Sequence, residues 1–157
     1  MRNIIIICSL FLMTSSLVKA QSKSIDNKLI ENAKFSGAET HHKHYKAIYQ
    51  LDSNNPDVVK KAFRNIKNVL NDPRLKDKIE VELITFSGGT EVMLKDSGYE
   101  EALKELINKG VTVAQCTNSL QERKLKKEQL YDFIGYVPSG NGELVIRASE
   151  GWVIVKP

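Results

Sequence analysis

The residue best suited to chemistry in this 157-residue chain is Cys116, in the segment Gln115-Cys116-Thr117-Asn118. A single thiolate can carry a sulfane sulfur, form a mixed disulfide or react with an oxidant. A Cys-His pair would need an imidazole from the N-terminal segment or from another subunit, because no histidine follows His44. We therefore expect any chemistry to depend on Cys116, while a buried and inert thiol remains the alternative.

A second candidate segment, Ser87-Gly88-Gly89, follows another apolar run. It lacks the Gly-Lys-Ser/Thr ending of a P-loop and the three glycines of a dinucleotide fingerprint, so a nucleotide site is not predicted. Ligand crevices of open α/β sheets lie beyond the carboxyl ends of the strands. We therefore expect Ser87, Gly88 and Gly89 to line one crevice with Cys116, Thr117 and Asn118. The segment 139–142, Ser-Gly-Asn-Gly, is interpreted as a turn rather than an anion site.

Three histidines, His41, His42 and His44, are close enough in sequence to suggest a transition-metal site. Adjacent histidines in a polar segment bind weakly without further fixed ligands. The sequence therefore predicts neither a metal site nor a cofactor.

Residues 1–20 have the pattern of a secretory signal peptide: Arg2, then an apolar run, then Val18-Lys19-Ala20. The apolar run is shorter than the roughly 20 residues that span a bilayer. We therefore predict cleavage after Ala20, a periplasmic or secreted protein, and no stable membrane span in the mature chain. Cleavage would also remove Cys8, leaving Cys116 without an intramolecular disulfide partner.

The predicted mature chain has little net charge. The full sequence carries a net charge of +4, and loss of Arg2 and Lys19 lowers it to about +2. Such a small excess does not favour a nucleic-acid partner.

Alternating strand and helix patterns predict the elements that position these residues. Residues 21–44 are interpreted as a polar lead-in with one helical turn between Leu29 and Phe35, and residues 45–157 as the domain. Predicted strands cover residues 45–51, 79–86, 111–115, 133–137 and 152–155. Alternating β and α elements indicate a mostly parallel sheet.

Capping signals mark the helices between the strands. Asn55 and Pro56 begin the first, which Asn71-Asp72-Pro73 ends. Ser97 with Glu100, and Asn118 with Gln121, have the spacing of capping boxes for the next two. A last helix is predicted around Leu144, Val145 and Ala148, before Gly151.

Several segments resemble exported proteins of the DsrE/DsrF-like (YchN-like) family. The most specific are Cys-x-Asn-Ser-Leu at 116–120 and Gly151-Trp152. The other matching segments are 65–70, 81–84 with Gly88-Gly89, Gly110-Val111, 137–140 and Lys156-Pro157. The resemblance covers roughly residues 45–157.

This resemblance implies a three-layer α/β/α fold with five mostly parallel strands. It also implies trimers or hexamers, with the cysteine near a subunit boundary. Sulfur-transferring members of the wider family use a cysteine in a persulfide relay; Cys116 matches it, and Asn118 would shape its loop. Related exported chains often have a histidine at the end of the second strand, where this chain has Phe86.

We therefore predict an exported DsrE-like protein whose single cysteine carries persulfide sulfur or exchanges thiols with a donor or acceptor protein. Whether it is an enzyme is left open. The alternative is a non-catalytic oligomeric ligand-binding or scaffold protein with a buried structural cysteine.

Overall fold

The computed structural model describes residues 25–157. The chain divides into two units after Glu39. In the first unit residues 25–33 form helix α1, which is longer and begins earlier than the single turn predicted between Leu29 and Phe35. The predicted signal peptide lies outside the described residues. Among the helices between residues 25 and 157, none combines the length and the apolar character that a membrane span requires.

The second unit contains a five-stranded sheet with strand order β4-β3-β2-β1-β5, in which every pair is parallel. The strands are β1 (Tyr45–Leu51), β2 (Ile79–Thr85), β3 (Thr112–Cys116), β4 (Gly135–Val137) and β5 (Val153–Val155). The prediction of an α/β fold with five mostly parallel strands is therefore confirmed.

Helices cover both faces of this sheet. They are α2 (Pro56–Asn71), α3 (Glu100–Asn108), α4 (Thr117–Glu122) and α5 (Gly140–Ser149), with 3-10 helices at Ser87–Met93 and Lys127–Gln129. The larger core lies on the face that α2 and α3 cover, where Ala47, Tyr49 and Leu51 of β1 are buried. On the other face Ile48 packs with Leu144 of α5 in a smaller core. Burial on both faces explains why the inner strands are apolar along most of their length.

Local signals predict α2 well but not the starts of α3 and α4. Asn55 caps α2 by accepting a hydrogen bond from the Asp57 N–H at 2.9 Å. The capping-box prediction for α3 is wrong because Gly98, with φ 77°, makes a turn after Ser97 that delays the helix until Glu100. The prediction for α4 is also wrong: β3 passes directly into that helix, so Cys116 takes the N-cap position and Asn118 lies inside.

The outer strands are shorter than predicted. Residues Phe133 and Ile134 were assigned to β4 for their apolar character, but they pack into the larger core from the loop before it. Likewise Trp152 precedes β5 and is buried in the smaller core. Side-chain burial, rather than strand pairing, accounts for the apolar pattern at these positions.

A buried ion pair connects α5 to the sheet. The Glu82 side chain on β2 is 1% exposed and accepts a hydrogen bond from Arg147 Nε at 2.8 Å. Burial raises the pKa of Glu82, and the charge and hydrogen bond of Arg147 oppose that effect. Arg147 also lies over the Trp152 ring, 4.5 Å from its centroid. The contacts tie the last helix to the middle of the sheet.

Candidate functional site

Cys116 lines a pocket at the carboxyl ends of the central strands. The pocket has a volume of about 310 Å³ and receives residues from the ends of β1, β2 and β3 and from the start of α5. Its lining residues are Asp52, Phe86, Ser87, Cys116, Asn118, Ser119, Glu122, Ser139, Gly140 and Asn141. This is where an open parallel sheet is expected to place a ligand crevice.

The Cys116 thiol is buried but polarised. The residue is 4% exposed, and it occupies the N-cap position of α4. Burial, the largest single effect, raises the thiol pKa, but backbone N–H groups of Ser119 and Gly140, the Ser119 hydroxyl and the Asn118 N–H together lower it. The net effect is a pKa below the usual value. Because the thiolate is the nucleophilic form, this environment favours reactivity.

Ser119 is positioned to donate to the sulfur. The Ser87 N–H donates a hydrogen bond to Ser119 Oγ at 2.9 Å, which occupies an acceptor site of that hydroxyl. The hydroxyl can then direct its own hydrogen at the Cys116 sulfur. Ser87 achieves this with φ 48°, in the left-handed region that non-glycine residues rarely adopt. Such backbone strain is often found at functional sites.

The start of α4 is fastened to the segment before α5. Thr117 Oγ1 donates to Val137 O at 3.2 Å or to Pro138 O at 3.1 Å, and the Asn118 N–H donates to Pro138 O at 3.2 Å. These bonds hold together two chain segments that both supply N–H groups to the sulfur. Asn118 lines the pocket and Thr117 does not.

Gly88 and Gly89 lie outside the pocket lining, in the 3-10 helix that begins at Ser87. A Cβ on Gly89 would lie 2.0 Å from Leu51 O, and one on Gly88 would lie 3.0 Å from Asp52 O. The structure therefore gives these glycines a packing role against the end of β1. A ligand contact by either residue stays a prediction.

Gly140 contributes to the site through its lack of a side chain. A Cβ there would lie 2.7 Å from Phe86 Cδ1, so the Phe86 ring and the Gly140 backbone fit together only without one. The 139–142 segment was predicted as a turn, but residues 140–142 form the first turn of α5 after the N-cap Ser139, and neither Ser119 nor Gly140 was predicted as a site residue. A serine three residues after the cysteine, which is helical spacing, was the available signal for Ser119.

A buried polar network lies on the other side of β3. The Gln115 side chain is fully buried and donates to Thr90 Oγ1 at 3.0 Å and to Cys116 O at 2.8 Å. Its Oε1 accepts a hydrogen bond from the Thr85 hydroxyl at 2.6 Å. Both polar atoms of the Gln115 amide form hydrogen bonds, so the network holds the backbone at Cys116 in place.

Two acidic residues, Asp52 and Glu122, line the pocket. Asp52 pairs with Lys156 at 3.1 Å, and Glu122 is exposed. Within the described part of the chain, no three His, Cys, Asp or Glu side chains are grouped so as to hold a metal ion. His42 and His44 line a different pocket.

Two solved structures have a similar fold. The structure is similar to that of MTH1491 from Methanobacterium thermoautotrophicum, a protein of unknown function, with 27% identity and a TM-score of 0.68. That match covers 72% of this chain and 99% of the other. BT1422 from Bacteroides thetaiotaomicron shares the fold at 14% identity and a TM-score of 0.59, over 71% of this chain and 94% of its own.

The sequence matches a family profile but no curated protein. The profile of the DsrE/DsrF-like family matches residues 46–157, which include the whole pocket lining and nearly all of the sheet. The chain therefore belongs to the DsrE/DsrF-like family.

Proposed function

We propose that this protein is an exported sulfur carrier in which Cys116 accepts a sulfane sulfur as a persulfide and passes it to a partner protein. The observation that carries the proposal is the polarised sulfur: a thiol whose pKa is lowered lines a pocket at the carboxyl edge of the sheet. Membership of a family associated with sulfur relay supports it. The same thiolate would exchange mixed disulfides with a partner.

The transfer step needs no redox cofactor. The Cys116 thiolate attacks the outer sulfur of a donor persulfide, R–S–SH, and a new sulfur–sulfur bond forms while the donor's S–S bond breaks. The donor leaves as a thiolate, R–S⁻, and the electron count is unchanged. N–H groups of Ser119 and Gly140 that stabilise the resting thiolate would also stabilise the persulfide anion.

The size and charge of the pocket limit the donor. A volume of about 310 Å³ is at the lower end of the range for small-ligand sites. Asp52 and Glu122 give the mouth an acidic character, partly offset by Lys156. These features favour a persulfide on a protein side chain or a small uncharged arm over inorganic anions such as thiosulfate.

We further propose a homo-oligomer, a trimer or hexamer, as the working form. Val145 and Ile146 on α5 are large apolar side chains that are exposed in the single chain. A second copy would remove them from water, which is a favourable change.

The competing function is a binding or scaffold protein in which Cys116 only fills space. The 4% exposure of Cys116 favours it, since buried cysteines are usually inert. A sulfur carrier requires a reactive Cys116 thiol in the folded protein, whereas a scaffold protein requires an inert one.

Intact-mass analysis after incubation with a small uncharged persulfide, that of N-acetylcysteine methyl ester, separates the two functions. We expect the exported protein to gain about 32 Da, one sulfur atom, and to lose that gain on treatment with a reductant. The Cys116→Ser variant should gain nothing. No added mass on folded wild-type protein, with labelling only after unfolding, would leave the scaffold function as the better account.

A further inference from the structure

A larger pocket opens on the sheet face that α2 covers, away from Cys116. Its volume is about 620 Å³, well inside the range for small-molecule sites. The sheet side is formed by Ala47 and Tyr49 of β1 and by their register partners on β5, Val153 and Val155. Val69 on α2 lines the helix side. The pocket exists because β5 extends the sheet past α2, leaving Val153 63% exposed.

Tyr49 gives this apolar pocket a specific polar group. The residue is 5% exposed, and its hydroxyl has no hydrogen-bond partner among the residues that the structure describes. Burial raises the pKa of Tyr49, so the hydroxyl stays protonated and remains a donor at neutral pH. The hydroxyl is not among the fully enclosed polar atoms, and Tyr49 lines the pocket, so the hydroxyl is available to donate to an acceptor atom on a bound molecule.

Other polar groups of the pocket are also mainly donors. The Tyr45 hydroxyl accepts hydrogen bonds from the His41 and His42 N–H groups at 2.9 and 3.1 Å, so its own hydrogen remains to be donated. His42 lines the pocket as well. The one carboxylate in the lining, on Glu150, is already paired with Arg147 at 3.2 Å. An acceptor group therefore finds donors here and little competing negative charge.

We propose that this pocket binds a small hydrophobic acid: a molecule with an apolar body that lies against β1, β5 and α2 and one carboxylate or sulfonate that accepts the Tyr49 hydrogen bond. The body would cover the exposed surface of Val153. This site is independent of the role proposed for Cys116.

Fluorescence titration of the full chain with 8-anilinonaphthalene-1-sulfonate tests the proposal, because this probe combines an aromatic body with a sulfonate. N-phenyl-1-naphthylamine has the same body without the acid and serves as the matched probe. We expect saturable binding of the sulfonate probe, and the Tyr49→Phe variant should weaken it by about fivefold while leaving the neutral probe unchanged, since one hydrogen bond is lost.

Two tryptophan variants of the edge strand show where the probe binds. Val153→Trp should fill the pocket and weaken both probes by about tenfold or more, because a closely packed site has no room for both indole and ligand. Ile154→Trp is the control: Ile154 is the next residue, it is also exposed, and it does not line the pocket. Circular dichroism confirms that all variants are folded.

Equal effects of Val153→Trp and Ile154→Trp would overturn the proposal, as would an equal loss of both probes in Tyr49→Phe. Probe binding that disappears as protein concentration rises, together with larger assemblies in sedimentation, would assign the pocket to a second copy of the chain and would also overturn it.

Discussion

Replacing Ser119 with alanine should make Cys116 a slower nucleophile at neutral pH. The Ser119 hydroxyl is one of the groups that lower the thiol pKa, and it is oriented by the Ser87 N–H at 2.9 Å. A hydrogen bond to a charged acceptor contributes about 1.5 kcal/mol or more. Since about 1.4 kcal/mol is a factor of ten, the acid dissociation constant of the thiol should fall about tenfold. The backbone N–H groups of Ser119 and Gly140 would remain.

The assay is the rate of iodoacetamide alkylation of folded protein, followed by intact mass between pH 5 and pH 10. We expect the Ser119→Ala profile to move to higher pH while the plateau rate at high pH stays near that of wild type. Ser149→Ala is the control, because Ser149 is exposed on α5 and its hydroxyl donates to Ile146 O rather than to the sulfur. Superimposable profiles for Ser119→Ala and wild type would refute the assigned hydrogen bond.

Three further predictions concern the scaffold and are measured by urea unfolding. Gly140→Ala should lower the free energy of unfolding by about 1–3 kcal/mol, because the new Cβ lies 2.7 Å from Phe86 Cδ1. Asn55→Ala should lower it by about 1 kcal/mol through loss of the α2 N-cap bond. Arg147→Met should lower it by about 3–5 kcal/mol at pH 8, where Glu82 would be left as an unpaired buried carboxylate. This last deficit should shrink toward pH 4, because burial raises the pKa of Glu82 and protonation removes the stranded charge.

A Gly140→Ala protein as stable as wild type would show that Phe86 moves aside freely, and Gly140→Ala combined with Phe86→Leu should otherwise recover part of the loss. An Asn55→Ala variant with the same free energy of unfolding as wild type would show that the capping hydrogen bond does not stabilise α2. An Arg147→Met deficit that grows toward acid pH would mean that Glu82 is not the group left unpaired.

The sign for Glu82 follows from its raised pKa. A carboxyl group with a folded-state pKa above its unfolded value binds its proton more tightly when folded. Its contribution to stability is therefore greatest below the unfolded pKa and is lost as pH rises through the folded pKa. In wild type the Arg147 contact reduces this loss, and the Arg147→Met variant exposes it fully.

Local signals in the sequence were enough for most of the fold. Asn55 and Pro56 act within a few residues of each other, so the start of α2 could be predicted. The apolar runs of β1 and β2 are buried on both faces, and the parallel sheet followed from their alternation with helices. The start of α3 was predicted wrongly from Ser97, because the spacing of a capping box does not reveal the turn at Gly98.

The site was predicted only in part, for a physical reason. The position of Cys116 at the end of β3 depends on adjacent residues and could be predicted, whereas its N-cap position in α4 was not. The Gly140 N–H reaches the same sulfur from another helix, and the Gln115 amide is satisfied by Thr85 and Thr90 from β2 and the segment after it. Contacts between distant segments leave no periodic trace in a single sequence.

The shortness of β4 and β5 has a consequence for how this chain behaves in a crowded compartment. Each outer strand has only three residues, so a strand of another chain could form few backbone hydrogen bonds at either edge of the sheet. Long exposed edge strands can template aggregation, and short edge strands are one way in which proteins prevent it. The protein can therefore display Val153 and Ile154 at its surface without inviting uncontrolled self-association through the sheet.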